Sequence, residues 1–185
     1  MAGTMIVSCG SSKQVASNSQ NRGGGSPFRD AYEAPCPAYD DEKDFAATGF
    51  ASGAAAQKGS LQKIALKNAQ DMIAMKMKHA VEGKVKGFFE SVGSNQGTDV
   101  DDQTIGDIDN IILGVANNTS LSCLKFSSVN DKGDIECYTA IKISKKQIVD
   151  AVANNLSKNK KAEIRQRAED FRRQTAEELK QYKGE

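Results

Sequence analysis

Apolar positions change rhythm along this chain, and each rhythm predicts an element. Between about Ser60 and Phe89, Leu66, Ala69, Ile73, Met77, Ala80 and Phe88 recur at three- and four-residue steps, the spacing of one side of an α-helix. Leu61, Ala65, Met72 and Met75 widen that stripe, Ser60 stands where an N-cap belongs, and Gly83 and Gly87 weaken the last turns. A shorter helix is predicted from Gln103 to Ala116. Ile105, Ile108, Ile112 and Val115 are its apolar positions, and Thr104 and Asp107 lie at capping-box spacing. The acids Asp99, Asp101 and Asp102 suit a helix N-terminus; as a calcium loop they fail, with Thr104 sixth and Asn110 twelfth.

The rhythm then shortens to alternation. Leu121–Val129 and Asp134–Ile143 read as the two strands of a hairpin, closed by Asn130-Asp131-Lys132-Gly133 with Gly133 in the left-handed region. Counted from that turn, Asn130 pairs with Asp134, Phe126 with Tyr138 and Cys123 with Ile141. One face then carries Leu121, Cys123, Val129, Ile135, Cys137, Ile141 and Ile143 and should meet the long helix. The other carries Leu124, Phe126, Tyr138 and Ala140 and needs a cover of its own. In this register Cys123 and Cys137 are too far apart for a disulfide, so both are expected to be reduced and buried.

Three further segments complete the pattern. The small-residue run Ala46–Gly53 reads as a strand against which something packs closely. After Ser144, a predicted N-cap, Ile148, Val149, Val152 and Leu156 mark a helix. A charge-dense last helix, about 159–183, carries the narrow stripe Ile164, Ala168, Phe171, Thr175, Leu179 and Tyr182. Ile164, Phe171 and Leu179 match the uncovered hairpin face in width. Together with Leu124, Phe126 and Tyr138 they form the expected interaction surface, either closed by the last helix or opened when that helix swings to a partner.

Residues 1–44 differ in character from the rest. Ser, Asn, Gln and Gly dominate from Cys9 through Gly23-Gly24-Gly25, and such a stretch buries too little apolar surface to offset the entropy of ordering it. It reads as a flexible tether. Ile6-Val7-Ser8-Cys9 resembles a lipobox, in which a short apolar run and a small residue precede the cysteine that receives the lipid. The match departs from the full pattern, because eight residues precede Cys9 and none is basic. The domain plan is therefore 1–44 leader, 45–157 α+β domain and 158–185 charged helix.

Composition narrows the chemistry. Only 38% of residues are hydrophobic, and 25 basic side chains against 24 acidic ones give a net charge of +1, so no nucleic-acid or acidic partner is implied. No run approaches the roughly 20 apolar residues that cross a bilayer. The four cysteines lack metal-ligand spacing, which argues against zinc, and if Cys9 carries lipid at least one of the other three stays out of any intramolecular bridge. His79 is the only imidazole, set on a helix without a nucleophile nearby in sequence. The S-x-x-K matches at Ser60 and Ser157 lack their companion motifs. No catalytic residue, metal or cofactor is expected.

Ala47-Thr48-Gly49-Phe50-Ala51-Ser52-Gly53, Ala65-Leu66-Lys67-Asn68-Ala69-Gln70 and Cys137-Tyr138-Thr139-Ala140-Ile141-Lys142-Ile143 follow one another in the order strand, long helix, last strand. In this the chain resembles the LPP20-like lipoprotein family and the related N-terminal domain of the flagellar protein FlgT, over about residues 46–156. The resemblance implies a curved antiparallel sheet packed on helices, an envelope location and no catalytic residues. The stretch around 93–109 is longer than the family pattern. The expectation is a non-catalytic lipoprotein of the bacterial cell envelope, anchored in the outer membrane and facing the periplasm. It would act as a structural or protein-interaction module, with an envelope protein or a second copy as partner. A small-ligand or glycan-binding periplasmic domain is the alternative.

Overall fold

The computed structural model describes residues 35–92 and 99–182. Its elements are β1 (Asp44–Ala54), a 3₁₀ turn (Ala55–Gln57), α1 (Lys58–Ser91), α2 (Asp99–Asn117), β2 (Ser120–Phe126), β3 (Asp134–Ser144), α3 (Lys145–Leu156) and α4 (Ala162–Gln181). The three strands form one antiparallel sheet in the order β1-β3-β2. The class is α+β, with a long helix over a small antiparallel sheet and further helices beyond it, as the apolar pattern predicts.

Close packing of β1 against α1 sets the architecture. Phe45, Ala47, Gly49 and Ala51 alternate onto the helix side, opposite Ile143, Ile141, Thr139 and Cys137 of β3. A Cβ on Gly49 would lie 1.9 Å from the carbonyl oxygen of Ala65 and 2.5 Å from the nitrogen of Ala69. Only glycine lets the two backbones meet there, and the helix answers with two fully buried alanines. The closely packed strand read from the sequence is this one.

Along α1 the buried residues Leu61, Ala65, Ala69, Ile73, Met77, Val81, Val85 and Phe89 recur at every fourth position. Four residues overshoot a full turn by about 40°, so this ridge winds around the helix. Its first half meets the sheet and its last half meets the other helices, where Phe88 packs edge-to-face on Phe171 at 5.4 Å. A single straight stripe does not describe it. Met72 and Met75, assigned to that stripe, are exposed instead, as is Ile64. The helix also starts before Ser60, at Lys58, and its N-cap position is held by Gln57 without a side-chain cap. Likewise, α2 begins ahead of the predicted start at Gln103.

The turn is as expected: Gly133 has φ +83°, and Asn130 Oδ1 accepts the backbone N–H groups of Lys132 and Asp134. The register beyond it is not. Ser127 N donates to Glu136 O, so one more residue lies on the β2 side of the loop than on the β3 side. A second irregularity falls between Leu121 and Cys123. Phe126 therefore pairs with Cys137, Leu124 with Thr139, and Cys123 with Ala140. A one-residue slip exchanges the faces of a strand. Leu124 and Phe126 pack on the helix side with Ile135 and Cys137, whereas Cys123 turns to the opposite side with Tyr138 and Ala140. Val129 and Leu121, placed on the helix side by the sequence, are exposed.

The last helix does not reach the second face. Ile164, Ala168, Phe171, Thr175 and Leu179 are buried as predicted, but in the main core with α1 and α3. Lys145 fixes its end. The Lys145 side chain is buried, and Nζ donates to Leu179 O at 2.9 Å and Tyr182 O at 2.6 Å, where an α-helix has unpaired carbonyls. The same ammonium lies 5.3 Å from the Phe45 ring centroid. Burial holds its pKa below the ordinary lysine range. Ser144 occupies the N-cap position of α3 without a side-chain cap bond; Lys145 N donates instead to Lys43 O at 2.8 Å.

Candidate functional site

The second face of the sheet is closed by a strap, residues 35–43, which the sequence had assigned to the leader. Cys36 is fully buried over Tyr138 and Ala140 and is joined to Cys123 by a disulfide, Cα–Cα 5.7 Å. The register slip is the reason this bond exists, since it brings Cys123 to the strap's side. Cys123 is thus not reduced, contrary to the expectation. Cys137 is reduced and buried on the helix side, and burial pushes its thiol pKa up.

Hydrogen bonds hold the rest of the strap. Thr48 Oγ1 donates to Cys36 O at 2.6 Å. Asp40 Oδ1 accepts the Ala46 N–H at 2.7 Å and Lys76 Nζ at 3.0 Å, and Lys76 also donates to Ala46 O at 2.7 Å. Asp41 Oδ1 accepts the backbone N–H groups of Lys43 and Asp44, which holds its carboxyl below the usual range. Asn68 Nδ2 adds a bond to Phe50 O at 2.8 Å. Ala46 N–H, Ala46 O and Phe50 O on the outer edge of β1 are thereby occupied and are not free to pair with another strand. Phe50 remains partly exposed beyond the strap, tilted against Tyr138 at 5.1 Å.

The six residues expected to form one surface are therefore dispersed. Tyr138 is buried beside the strap. Leu124 and Phe126 face the helix side, with Lys58 Nζ 4.3 Å from the Phe126 ring centroid. Ile164, Phe171 and Leu179 belong to the main core. The lipidation candidate Cys9 lies outside the described residues, as does most of the expected leader. His79 is exposed on α1. Among the described residues no cluster of three or more potential metal ligands occurs, and no helix is long and apolar enough to cross a membrane.

Concave features lie between the described helices. Between α1 and α4 runs a groove of about 410 Å³. Its α1 wall carries Gly83, Lys84, Gly87 and Ser91; its α4 wall carries Arg167, Asp170, Gln174 and Glu178; Phe88 and Phe171 lie at the base. Lys84 pairs with Glu178 across one end, and Arg167 Nη1 donates to Ser91 O at 2.8 Å across the other. Between α1 and α2 a cleft of about 300 Å³ is lined by Ala74, Met75, Ile112 and Leu113, with Met75 and Leu113 exposed. The Lys78–Asp109 ion pair, 2.9 Å, borders it.

No protein family, curated protein or solved structure matches the chain.

Sequence reasoning missed the disulfide, Lys145 and the groove. A signal for the first was present: Cys36 sits between Pro35 and Pro37, which restrict the backbone on both sides of it. For Lys145 there was none, because its partners are carbonyls more than 30 residues away.

Proposed function

We propose that this chain is a non-catalytic lipoprotein of the bacterial cell envelope, related to the LPP20-like family, whose α+β body is a structural or protein-interaction module. The observation that carries this reading is the Cys36–Cys123 disulfide. Such bonds persist in oxidising compartments and are reduced in the cytosol. The bond also fastens the chain to the body 27 positions after Cys9. An antiparallel sheet packed on helices is the fold the family resemblance implies. A module working by contact needs exposed apolar surface, and Met72, Met75 and Leu113 supply it in place of the surface first expected. In this reading Cys9 carries the lipid, the outer membrane is the anchor and the body faces the periplasm. Replacing Cys9 with Ala in the natural precursor should release the protein from the membrane fraction. Undiminished membrane association would contradict the anchor.

The groove between α1 and α4 favours a second reading, a small-ligand-binding domain of the same compartment. Its volume falls within the range of about 300–1,000 Å³ typical of ligand clefts, and polar side chains converge on it.

A further inference from the structure

The groove between α1 and α4 exists because α1 lacks side chains at Gly83 and Gly87, four residues apart on one side of the helix. Each glycine inside a helix costs about 1 kcal/mol relative to alanine. Gly49 has a packing reason for its missing side chain, but Gly83 and Gly87 have none. A Cβ at either would meet no atom within 4 Å, and neither has a positive φ. Local rules broken without a structural return mark places kept for something outside the fold.

We infer that this groove binds a short, neutral, hydroxyl-rich oligosaccharide, an inference that rests on the ligand-binding reading above. The rim carries Lys84 and Arg167 against Asp170 and Glu178, so its formal charge sums to zero. A polyanion or a polycation meets as much repulsion there as attraction. Lys84 and Arg167 only donate hydrogen bonds, the two carboxylates only accept them, and Gln174 does both. Lys84 already pairs with Glu178, Arg167 with Ser91 O and Asp170 with Arg173, and a hydroxyl, which both donates and accepts, can join each of these pairs without bringing charge. The floor is the glycine backbone over the buried Phe88–Phe171 pair, against which the C–H face of a sugar ring can lie. The open backbone at Gly83 and Gly87 lets such a ring lie close to the helix.

The test is amide chemical-shift perturbation of the full chain titrated with maltotriose, cellotriose and triacetylchitotriose, beside Gly87→Leu. At least one saccharide should shift the amides of Gly83, Gly87, Ser91 and Gln174. Gly87→Leu should weaken that binding at least about tenfold. Because the new side chain projects into open groove, the variant should keep the remaining amide spectrum and melt no lower than the parent. Shifts that survive Gly87→Leu, or that fall elsewhere, overturn the assignment. Groove shifts with zwitterionic dialanine but no saccharide overturn the carbohydrate class and leave a binding groove. Silence from all four probes overturns both.

Discussion

One face of the sheet is covered by the long helix α1, the other by the strap of residues 35–43, and the two covers are held by different means. On the helix side, backbone meets backbone at Gly49, Ala65 and Ala69, and a wide apolar core extends from that contact. The strap has little apolar surface of its own beyond Cys36 and Ala38. Burying two small side chains contributes little at about 25 cal/mol per Å². A covalent bond, a few hydrogen bonds and the Asp40–Lys76 pair supply what area cannot. A short segment covers a sheet face only with such a fastening, whereas a long helix does so by shape.

Breaking the helix side should have the largest effect. Gly49→Val adds a residue that strands favour, yet its Cβ must displace the α1 backbone. The expected loss is at least about 5 kcal/mol, beyond the usual range for single substitutions, and thermal unfolding should find no cooperative transition. A well-folded Gly49→Val protein would show that α1 does not lie where the architecture requires.

Breaking the strap should cost less and act locally. The chain-entropy account assigns the Cys36–Cys123 link, 87 residues apart in sequence, about 4–5 kcal/mol. Cys36→Ala with Cys123→Ala should lose about 2–5 kcal/mol by urea titration. Hydrogen-exchange protection should fall first at Ala46, whose N–H donates to Asp40 of the strap. Equal loss of protection across α3 and α4 would mean that strap and core are one cooperative unit.

Lys145 sharpens the comparison, since it ties the strap's end and the last helix to the core at once. Lys145→Met removes the buried donor to Leu179 O and Tyr182 O and should cost about 1–3 kcal/mol near neutral pH. Because burial lowers its folded-state pKa, the unfolded chain binds more protons between that lowered value and the ordinary one near about 10.4. Within that window stability rises with pH. The parent should therefore gain on Lys145→Met as pH rises through the window and lose that gain as pH falls below it. Urea melts of both proteins across alkaline pH measure this directly.

The smallest effect separates glycines that shape requires from those it does not. Gly83→Ala and Gly87→Ala should each stabilise the fold by up to about 1 kcal/mol, in contrast to Gly49→Val. A loss of melting temperature in either would reveal a packing role that their open surroundings do not show.

Much of the fold was legible in the sequence because it rests on local signals. Apolar positions at three- and four-residue steps marked α1, and the small-residue strand announced a close neighbour. Asn130 and Gly133 announced the turn. What escaped depended on distance or on a single extra residue. One additional residue in the β2 arm reversed the faces of Cys123, Leu124 and Phe126, and with them the expected interaction surface. The winding ridge of α1 exposed Met72 and Met75 although each keeps helical spacing with buried neighbours. The groove was invisible because glycine in a helix reads first as weakness, and only the open space around Gly83 and Gly87 gives it another meaning.

In the proposed exported body the second face is fastened by one disulfide and Cys137 is sealed on the opposite side. Alkylating the protein in intact cells, then denaturing, reducing and alkylating again with an isotopically heavier reagent, reads both features at once. Cys36 and Cys123 should take only the second label, from a linked peptide pair, in protein recovered from the envelope. Cys137 should resist the first label while folded and accept reagent on denaturation before any reduction. First-label alkylation of Cys36 and Cys123 in protein recovered from the cytosol would contradict both the fastening and the compartment.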